Sequence, residues 1–352
     1  MISLYCTVDK IAIGTGGGIV TTNELQALRS VSEVTLILSH DNIAPAVFKQ
    51  PGSPFLYDYF ALEQVQGKHF DLAHFYSGCF SQTIRHLKEH GAKVSYTVAA
   101  HDRRLSIEEF QRLGLEYPFH HISCDTLWNI YIEGVRLADV VIAPSRKSAE
   151  VLKSDVGCKN VVVIPHGCVL PERVNPIPER FDVAYLGAGG PDKGLMYLIQ
   201  AWGMLNYPDS RLILAGLGTE DLEPFIQQIT DKGNFVLLGR VPDVADVYNT
   251  CSVYVQPSVS EGFGLEILEA MSYSRPVIAS EGAGASELIE DGVTGFVVPI
   301  RNAGAIAKQI EWFKSNQDKI PEMGQRAGSK ARNYTWAKIQ VIYAQIWREL
   351  GQ

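Results

Sequence analysis

Val253-Tyr254-Val255-Gln256-Pro257-Ser258-Val259-Ser260-Glu261-Gly262-Phe263-Gly264-Leu265-Glu266-Ile267-Leu268-Glu269-Ala270-Met271 changes its structural period once, at the glycines. The opening run, Val253 to Val255, has the β-branched and aromatic content of a buried strand. Pro257, the serines and the two glycines then make a loop, and from Leu265 the apolar residues return at helical spacing. A strand therefore leads through a glycine loop into a helix. Gly262 and Gly264 let a ligand approach the backbone closely, and the N–H groups at the helix start, around Phe263 to Glu266, form an anion site suited to a diphosphate. Glu261 stands at the lip of that site. Glu269 lies one turn into the helix on the face of Leu265, where its carboxylate can accept hydrogen bonds from the adjacent hydroxyls of a ribose. Glu266, in the first turn, reads as a complement to the helix macrodipole.

The same alternation runs outward in both directions. Ile2 to Thr7, Val34 to Leu38, Leu72 to Phe75, Lys93 to Val98, Val140 to Ala143 and Val161 to Ile164 read as buried strands, with helices over Thr22 to Arg29, Ser81 to Glu89 and Ser145 to Lys153, the last opening on a serine cap. After residue 180 the grammar restarts with strands at Val183 to Leu186, Leu212 to Ala215, Val236 to Leu238, Val253 to Val255, Val277 to Ala279 and Gly295 to Val298. The fold class is α/β, with two doubly wound parallel-sheet domains. Leu170 to Arg180 carries Pro171, Pro176 and Pro178 and little periodic apolar content, so it reads as a stiff linker. The expected division is residues 1–172, residues 173–335 and a terminal helix within 336–352, whose Trp336, Ile339, Ile342, Tyr343, Ile346, Trp347 and Leu350 have helical spacing and must pack on something. In open α/β sheets ligands collect at the carboxyl ends of strands.

Composition removes other classes. The chain has 352 residues, 46% hydrophobic and 20% charged, with a formal net charge of −8. That is ordinary globular usage, and the acidic balance argues against non-specific nucleic-acid binding. Cys6, Cys79, Cys124, Cys158, Cys168 and Cys251 include no CxxC pair, so they read as reduced, buried thiols of a cytoplasmic protein. No membrane span or targeting signal is visible; a lipid-linked substrate would require peripheral docking on the membrane surface.

The Glu-x7-Glu pair with Gly-Phe-Gly between its members closely resembles the hallmark of the retaining glycosyltransferase family 4 group. The resemblance extends through Leu238-Gly239-Arg240-Val241-Pro242 and Val247-Tyr248 on one side. On the other it covers Pro276 to Ser280, Gly284, Glu287-Leu288-Ile289, Asp291-Gly292 and Thr294-Gly295-Phe296. It spans the second domain from about Val183 to Ile310 and the first domain more thinly. What it implies is a GT-B fold, two Rossmann-like domains facing across a cleft, with a nucleotide sugar held mainly by the second domain. The first domain is then the acceptor side, and the terminal helix crosses back to it. By the same resemblance Glu269 binds the ribose and Glu261 the hydroxyls of the donor sugar. The backbone of Phe263, Gly264 and Leu265 holds diphosphate and sugar, Gly187 and Gly239 border the donor, and Arg240 lies beside the nucleobase.

A breaking glycosidic bond builds charge on the diphosphate, so cations must be supplied. The family pattern Gly-Arg-x-x-x-x-Lys-Gly implies Lys193 for this task. At the arginine position the chain has Ala188, in Gly187-Ala188-Gly189-Gly190-Pro191-Asp192-Lys193-Gly194, which removes one of two usual cations; Arg103, Arg104 or Arg240 could compensate. No Asp-x-Asp occurs, so the expectation is a metal-independent site with no cofactor, in which the helix start and Lys193 take a metal's place.

Gly14-Thr15-Gly16-Gly17-Gly18, read as a loop before a helix from about Ile19, resembles the family's N-terminal glycine loop and makes Gly17 and Gly18 donor contacts. It lacks the third glycine of a dinucleotide fingerprint. Thr97-Val98-Ala99-Ala100-His101-Asp102 resembles, with one extra residue, an element whose histidine reaches the reaction centre, which nominates His101. His74 reads as structural. The segment from Arg103 to Tyr131 carries aromatics and carboxylates that could line an acceptor groove. The expected function is transfer of a sugar from a UDP- or GDP-linked donor to a sugar, glycan or lipid-linked hydroxyl. Alternatives are an epimerase or phosphorylase of the same fold, or a non-catalytic nucleotide-sugar-binding or scaffold subunit, to which Ala188 points.

Overall fold

The computed structural model describes residues 1–7, 16–38, 53–98, 103–115, 124–219, 222–230 and 234–352. They form two compact units, one drawn from residues 1–100, 116–166 and 336–352, the other from residues 101–115 and 167–335.

The first unit is built on six parallel strands: β1 (Ile2–Thr7), β2 (Glu33–Leu38), β3 (Leu72–Tyr76), β4 (Lys93–Thr97), β5 (Val140–Ala143) and β6 (Val161–Val163). Their order is β2-β1-β3-β4-β5-β6. The central strands are buried along their length, as strands covered by helices on both faces must be. The Arg146–Ser154 helix starts as its sequence indicates, with Ser145 Oγ accepting from Ser148 N–H at 3.1 Å. The Gly16–Arg29 helix corrects an expectation. It begins at Gly16, so Gly17 and Gly18 lie in its first turn and not in a loop. Three glycines weaken a helix by roughly 1 kcal/mol each relative to alanine. Side chains one turn on bond back to this stretch: Thr21 Oγ1 to Gly17 O at 3.0 Å, Thr22 Oγ1 to Gly18 O at 2.7 Å and Asn23 Nδ2 to Ile19 O at 2.8 Å.

The Trp336–Leu350 helix packs in this first unit against the Gly16–Arg29 helix. It buries Trp336, Ile339, Tyr343, Ala344 and Trp347 along one stripe, whereas Ile342, expected on the same face, is exposed and Ile346 and Leu350 are half-buried. A buried polar chain fastens it. Trp347 Nε1 donates to Ser95 Oγ at 2.9 Å, Ser95 Oγ meets His74 Nδ1 at 2.8 Å, and His74 Nε2 lies 3.2 Å from Glu24 Oε2, which also accepts from Tyr5 Oη at 2.8 Å. His74 is thus a fully buried framework residue.

The second unit has six parallel strands: β7 (Asp182–Leu186), β8 (Arg211–Ala215), β9 (Phe235–Gly239), β10 (Val253–Gln256), β11 (Val277–Ser280) and β12 (Gly295–Val298). Their order is β12-β11-β10-β7-β8-β9. Counted within the unit this is the 3-2-1-4-5-6 arrangement of dinucleotide folds, and the order reverses between β7 and β10, where such sheets bind ligands. One core layer includes Val183, Tyr185, Trp202, Leu212, Val253 and Ile310, and the opposite layer includes Ala184, Ile213, Tyr254, Ile267, Met271 and Val277. Among the described residues no helix is long and apolar enough to cross a membrane.

Candidate active site

The reversal point brings two loops together. After β7 the chain passes Gly187 to Gly190 into a short 3-10 turn, Pro191–Lys193, closed by Gly194. Proline at the first helical position needs no N–H partner there. After β10 it passes Gln256 to Phe263 into the Leu265–Ser272 helix. Asp192 O accepts from Val259 N–H at 2.8 Å and from Ser260 N–H at 3.3 Å, joining the two loops. Residue 194 has φ +66°, and a Cβ there would stand 2.1 Å from Pro257 O. Only glycine allows this approach, which sets Lys193 against the second loop.

Lys193 Nζ donates to Glu261 Oε1, so the two residues expected at opposite ends of the reacting group form one ion pair. The other carboxylate oxygen, Glu261 Oε2, accepts from Ser258 Oγ at 2.7 Å and from Gln256 Nε2 at 3.1 Å. Behind them the single Tyr254 O–H lies between two acceptors, Leu186 O at 2.9 Å and Gln256 Oε1. Burial works to raise the Glu261 carboxyl, but the Lys193 ammonium outweighs it and holds the group below the ordinary carboxylate value. Burial likewise works against the Lys193 charge, and Glu261 with Glu266 overrides it, so the amine stays protonated well above its usual range. The pair is a fixed dipole in a desolvated place.

The loop around Glu261 is pinned from the other side. Glu261 N–H donates to Gly282 O at 3.0 Å, and Phe263 O accepts from Ala285 N–H at 2.7 Å. Gly264, at φ +92°, turns the chain into the helix. A Cβ at Gly264 would lie 3.3 Å from Glu261 Oε2, so the glycine also leaves that carboxylate uncrowded. Leu265 opens the helix, and Phe263 is buried in the core layer beneath it.

Two further carboxylates follow. Glu269 accepts from Tyr248 Oη at 3.0 Å, and burial raises its carboxyl above the ordinary value. Glu266 belongs to the same cluster, which spacing alone did not reveal. Burial and the neighbouring Glu261 push its carboxyl up to about 7, so near neutral pH it carries only part of the charge of a macrodipole complement. Glu261 and Glu266 therefore both act on the Lys193 ammonium, while Glu269 lies against Tyr248. The signal available in sequence was a third acid between Glu261 and Glu269.

Gly187 and Gly239 lie at the ends of β7 and β9, on either side of β8: Gly187 N–H donates to Ala215 O at 3.0 Å and Gly216 N–H to Gly239 O at 2.7 Å. Arg240 follows on the exposed rim, and Ala188 is exposed beside Gly187, its carbonyl accepting from Tyr185 Oη at 2.6 Å. Lys193, Glu261, Phe263, Gly264, Leu265, Glu269, Gly187, Gly239 and Arg240 thus all belong to the loops and helix start at the carboxyl edge of one sheet. Gly17 and Gly18 are in the first unit. His101 lies outside the described residues. Of the aromatics that could line an acceptor groove, Trp128 and Tyr131 pack, half-buried, on the first unit's core. Arg103 to Arg112, read with the first domain, packs with the second unit.

Residues 171–334 match the family model described as glycosyl transferases group 1. Among curated proteins, the chain is similar to the capsular polysaccharide biosynthesis glycosyltransferase CapM of Staphylococcus aureus, 30% identical over 177 residues, 49% of this chain and 45% of that protein. It is also similar to a D-inositol 3-phosphate glycosyltransferase of Paenarthrobacter aurescens, 28% identical over 186 residues, 49% of this chain and 45% of the other. The aligned part spans about half the length of the curated relatives. Among solved structures, sucrose-phosphate synthase from Thermosynechococcus elongatus superposes with a TM-score of 0.80 at 20% identity, covering 99% of this chain and 98% of that one. HepE of Anabaena, solved with UDP and glucose, gives 0.73 at 18% identity, covering 99% and 100%. Residues 171–334 thus resemble the glycosyl transferases group 1 family, and the chain as a whole has the two-sheet fold of the GT-B glycosyltransferases.

Proposed function

We propose that the protein is a retaining glycosyltransferase that moves a sugar from a nucleoside diphosphate sugar to a hydroxyl acceptor without a divalent metal. The observation that carries this is the Lys193–Glu261 ion pair at the β7/β10 reversal point, beside the start of the Leu265–Ser272 helix. A diphosphate placed there meets backbone donors and one ammonium, both fixed before reaction, so charge developing on the leaving oxygen is stabilised with little reorganisation. Lys193 has three N–H donors and can serve Glu261 and a phosphate oxygen together. Glu261, its second oxygen held by Ser258 and Gln256, keeps acceptor capacity for hydroxyls of the transferred sugar. Glu269, with Tyr248 behind it, receives the ribose diol.

In the reaction the anomeric carbon–oxygen bond to the diphosphate breaks first, the departing phosphate oxygen takes the proton of the acceptor hydroxyl, and that hydroxyl oxygen bonds the anomeric carbon on the same face. Atoms balance as nucleoside diphosphate plus glycoside, and no protein nucleophile is consumed. The acceptor is a sugar, a glycan or a lipid-linked hydroxyl reached by peripheral contact with a membrane.

The experiment is a transfer assay with UDP- and GDP-sugars and a panel of hydroxyl acceptors in the presence of EDTA, read by mass spectrometry. Product of retained anomeric configuration that is absent with Lys193→Ala supports the reading. An absolute requirement for added metal, or inverted product, contradicts it. Ala188 favours a second reading, a subunit that binds the nucleotide sugar without turnover; tight UDP or GDP binding with neither hydrolysis nor transfer across the panel would establish that instead.

A further inference from the structure

The segment of residues 103–115 packs with the second unit, although the described elements on both sides, β4 and the Cys124–Leu137 helix, belong to the first. Within it the Arg103–Arg112 helix lies against the Pro191–Lys193 turn. Its anchor is Glu109, whose side chain is fully buried. Oε1 accepts from Tyr197 Oη at 2.7 Å and Oε2 from Arg301 Nε at 2.6 Å. Arg301 Nη2 also donates to Leu105 O at 3.3 Å. Tyr197 sits in the first turn of the Leu195–Met204 helix, which starts directly after Gly194, and its N–H bonds Gly194 O at 2.9 Å. Glu109 therefore holds the side chain of Tyr197, three residues beyond Gly194, while its helix covers the turn itself.

Arg301 adds an independent sign that this contact is built. It follows β12 at φ +56°, a conformation that an arginine adopts only where surrounding contacts impose it. Its guanidinium is held by Glu109, Glu108 and the Leu105 carbonyl. Glu109 is fully buried and Arg301 half-buried, so removing Arg301 would leave a buried carboxylate uncompensated, and the contact is strongly specified once formed.

We propose that Glu109 and Arg301 are positioning residues for Lys193: they fix the Arg103–Arg112 helix on the second unit and so hold the Pro191–Gly194 turn, with its ammonium, at the diphosphate end of the site. This rests on the reading of Lys193 as the diphosphate cation. A lysine on a flexible four-carbon stem delivers charge effectively only where its backbone is fixed. The Asp192 carbonyl, through Val259 and Ser260, fixes one side of the turn, and the Arg103–Arg112 helix fixes the other. The donor site is then completed by a piece of chain whose flanks lie in the other unit.

Two measurements test this. The first follows the Lys193 ammonium by NMR in ligand-free protein with isotopically labelled lysine, its signal assigned by its loss in Lys193→Arg. The signal moves in Glu109→Ala and moves less in Glu109→Gln, which can keep part of the hydrogen bonding. The second compares UDP, GDP and UMP by calorimetry. Glu109→Ala weakens diphosphate binding tenfold or more and UMP binding less than twofold, and in a Lys193→Ala background it adds no further loss. An unmoved Lys193 signal in the folded variant, equal losses for UDP and UMP, or additive losses in the double variant overturn the proposal. If the unaltered protein binds neither UDP nor GDP, the donor reading fails, and the ligand-free Lys193 signal still decides the positioning role. If Glu109→Ala does not fold, Tyr197→Phe, which removes one hydroxyl, carries the same readouts.

Discussion

Lys193 Nζ is hydrogen-bonded to Glu261 Oε1, joining the residues that close the turn after β7 and the strand end of β10. The pair costs desolvation and repays it only because Ser258 and Gln256 satisfy the second carboxylate oxygen. Replacing Lys193 by alanine should remove a charge-assisted contact to the leaving group and lower turnover at least 100-fold, about 2 to 4 kcal/mol of transition-state stabilisation. Steady-state kinetics with unchanged circular dichroism checks it; full activity would refute the assignment.

Ala188 is exposed next to Gly187, so an arginine there has room. Ala188→Arg should supply a second cation and tighten UDP or GDP binding by roughly fivefold to 100-fold, as a charge-assisted, bidentate phosphate contact does. Calorimetry reads it directly. Unchanged affinity would mean that the diphosphate lies away from this loop.

Glu269 is held by Tyr248 Oη with its carboxylate at the helix face. If it clasps the ribose, Glu269→Ala should weaken UDP binding roughly tenfold or more, since loss of a hydrogen bond to a charged group is worth about 1.5 to 3 kcal/mol. The same variant should lose the preference for UDP over its 2′-deoxy analogue. Persistence of that preference would place the ribose elsewhere.

Glu266 titrates near neutrality because burial and Glu261 oppose its charge. The folded protein holds this proton more tightly than the unfolded chain does, so the group favours the folded state below the ordinary value of 4.5, and that contribution is lost as pH rises through about 7. Glu266→Gln should therefore be more stable than the unaltered protein at pH 8, by on the order of 1 to 3 kcal/mol, and nearly equal to it at pH 4. Denaturant unfolding at the two pH values reads the difference. A gain of the same size at both would assign the effect to something other than this proton.

The architecture was legible because parallel strands buried on both faces are written as short β-branched runs. All twelve expected strands are present, with ends displaced by a residue or so. The Glu261 to Glu269 segment was legible for a related reason, since glycine, acid and helix start occur in continuous sequence. The beginning of the first helix was not, because Gly16 to Gly18 look like loop until Thr21, Thr22 and Asn23 are seen to bond back along it. Nor was the place of Arg103 to Arg112. That depends on Glu109 meeting Arg301, far away in sequence, and no local pattern encodes such a pair. The environment of Glu266 is hidden for the same reason: its neighbour Lys193 arrives from another loop.

The most direct measurement is a crystal structure with UDP or GDP bound. It should place the diphosphate at the start of the Leu265–Ser272 helix with a phosphate oxygen on Lys193 Nζ and the ribose hydroxyls on Glu269. Nucleotide density at any other place, or a divalent ion bridging the phosphates at this one, would contradict it.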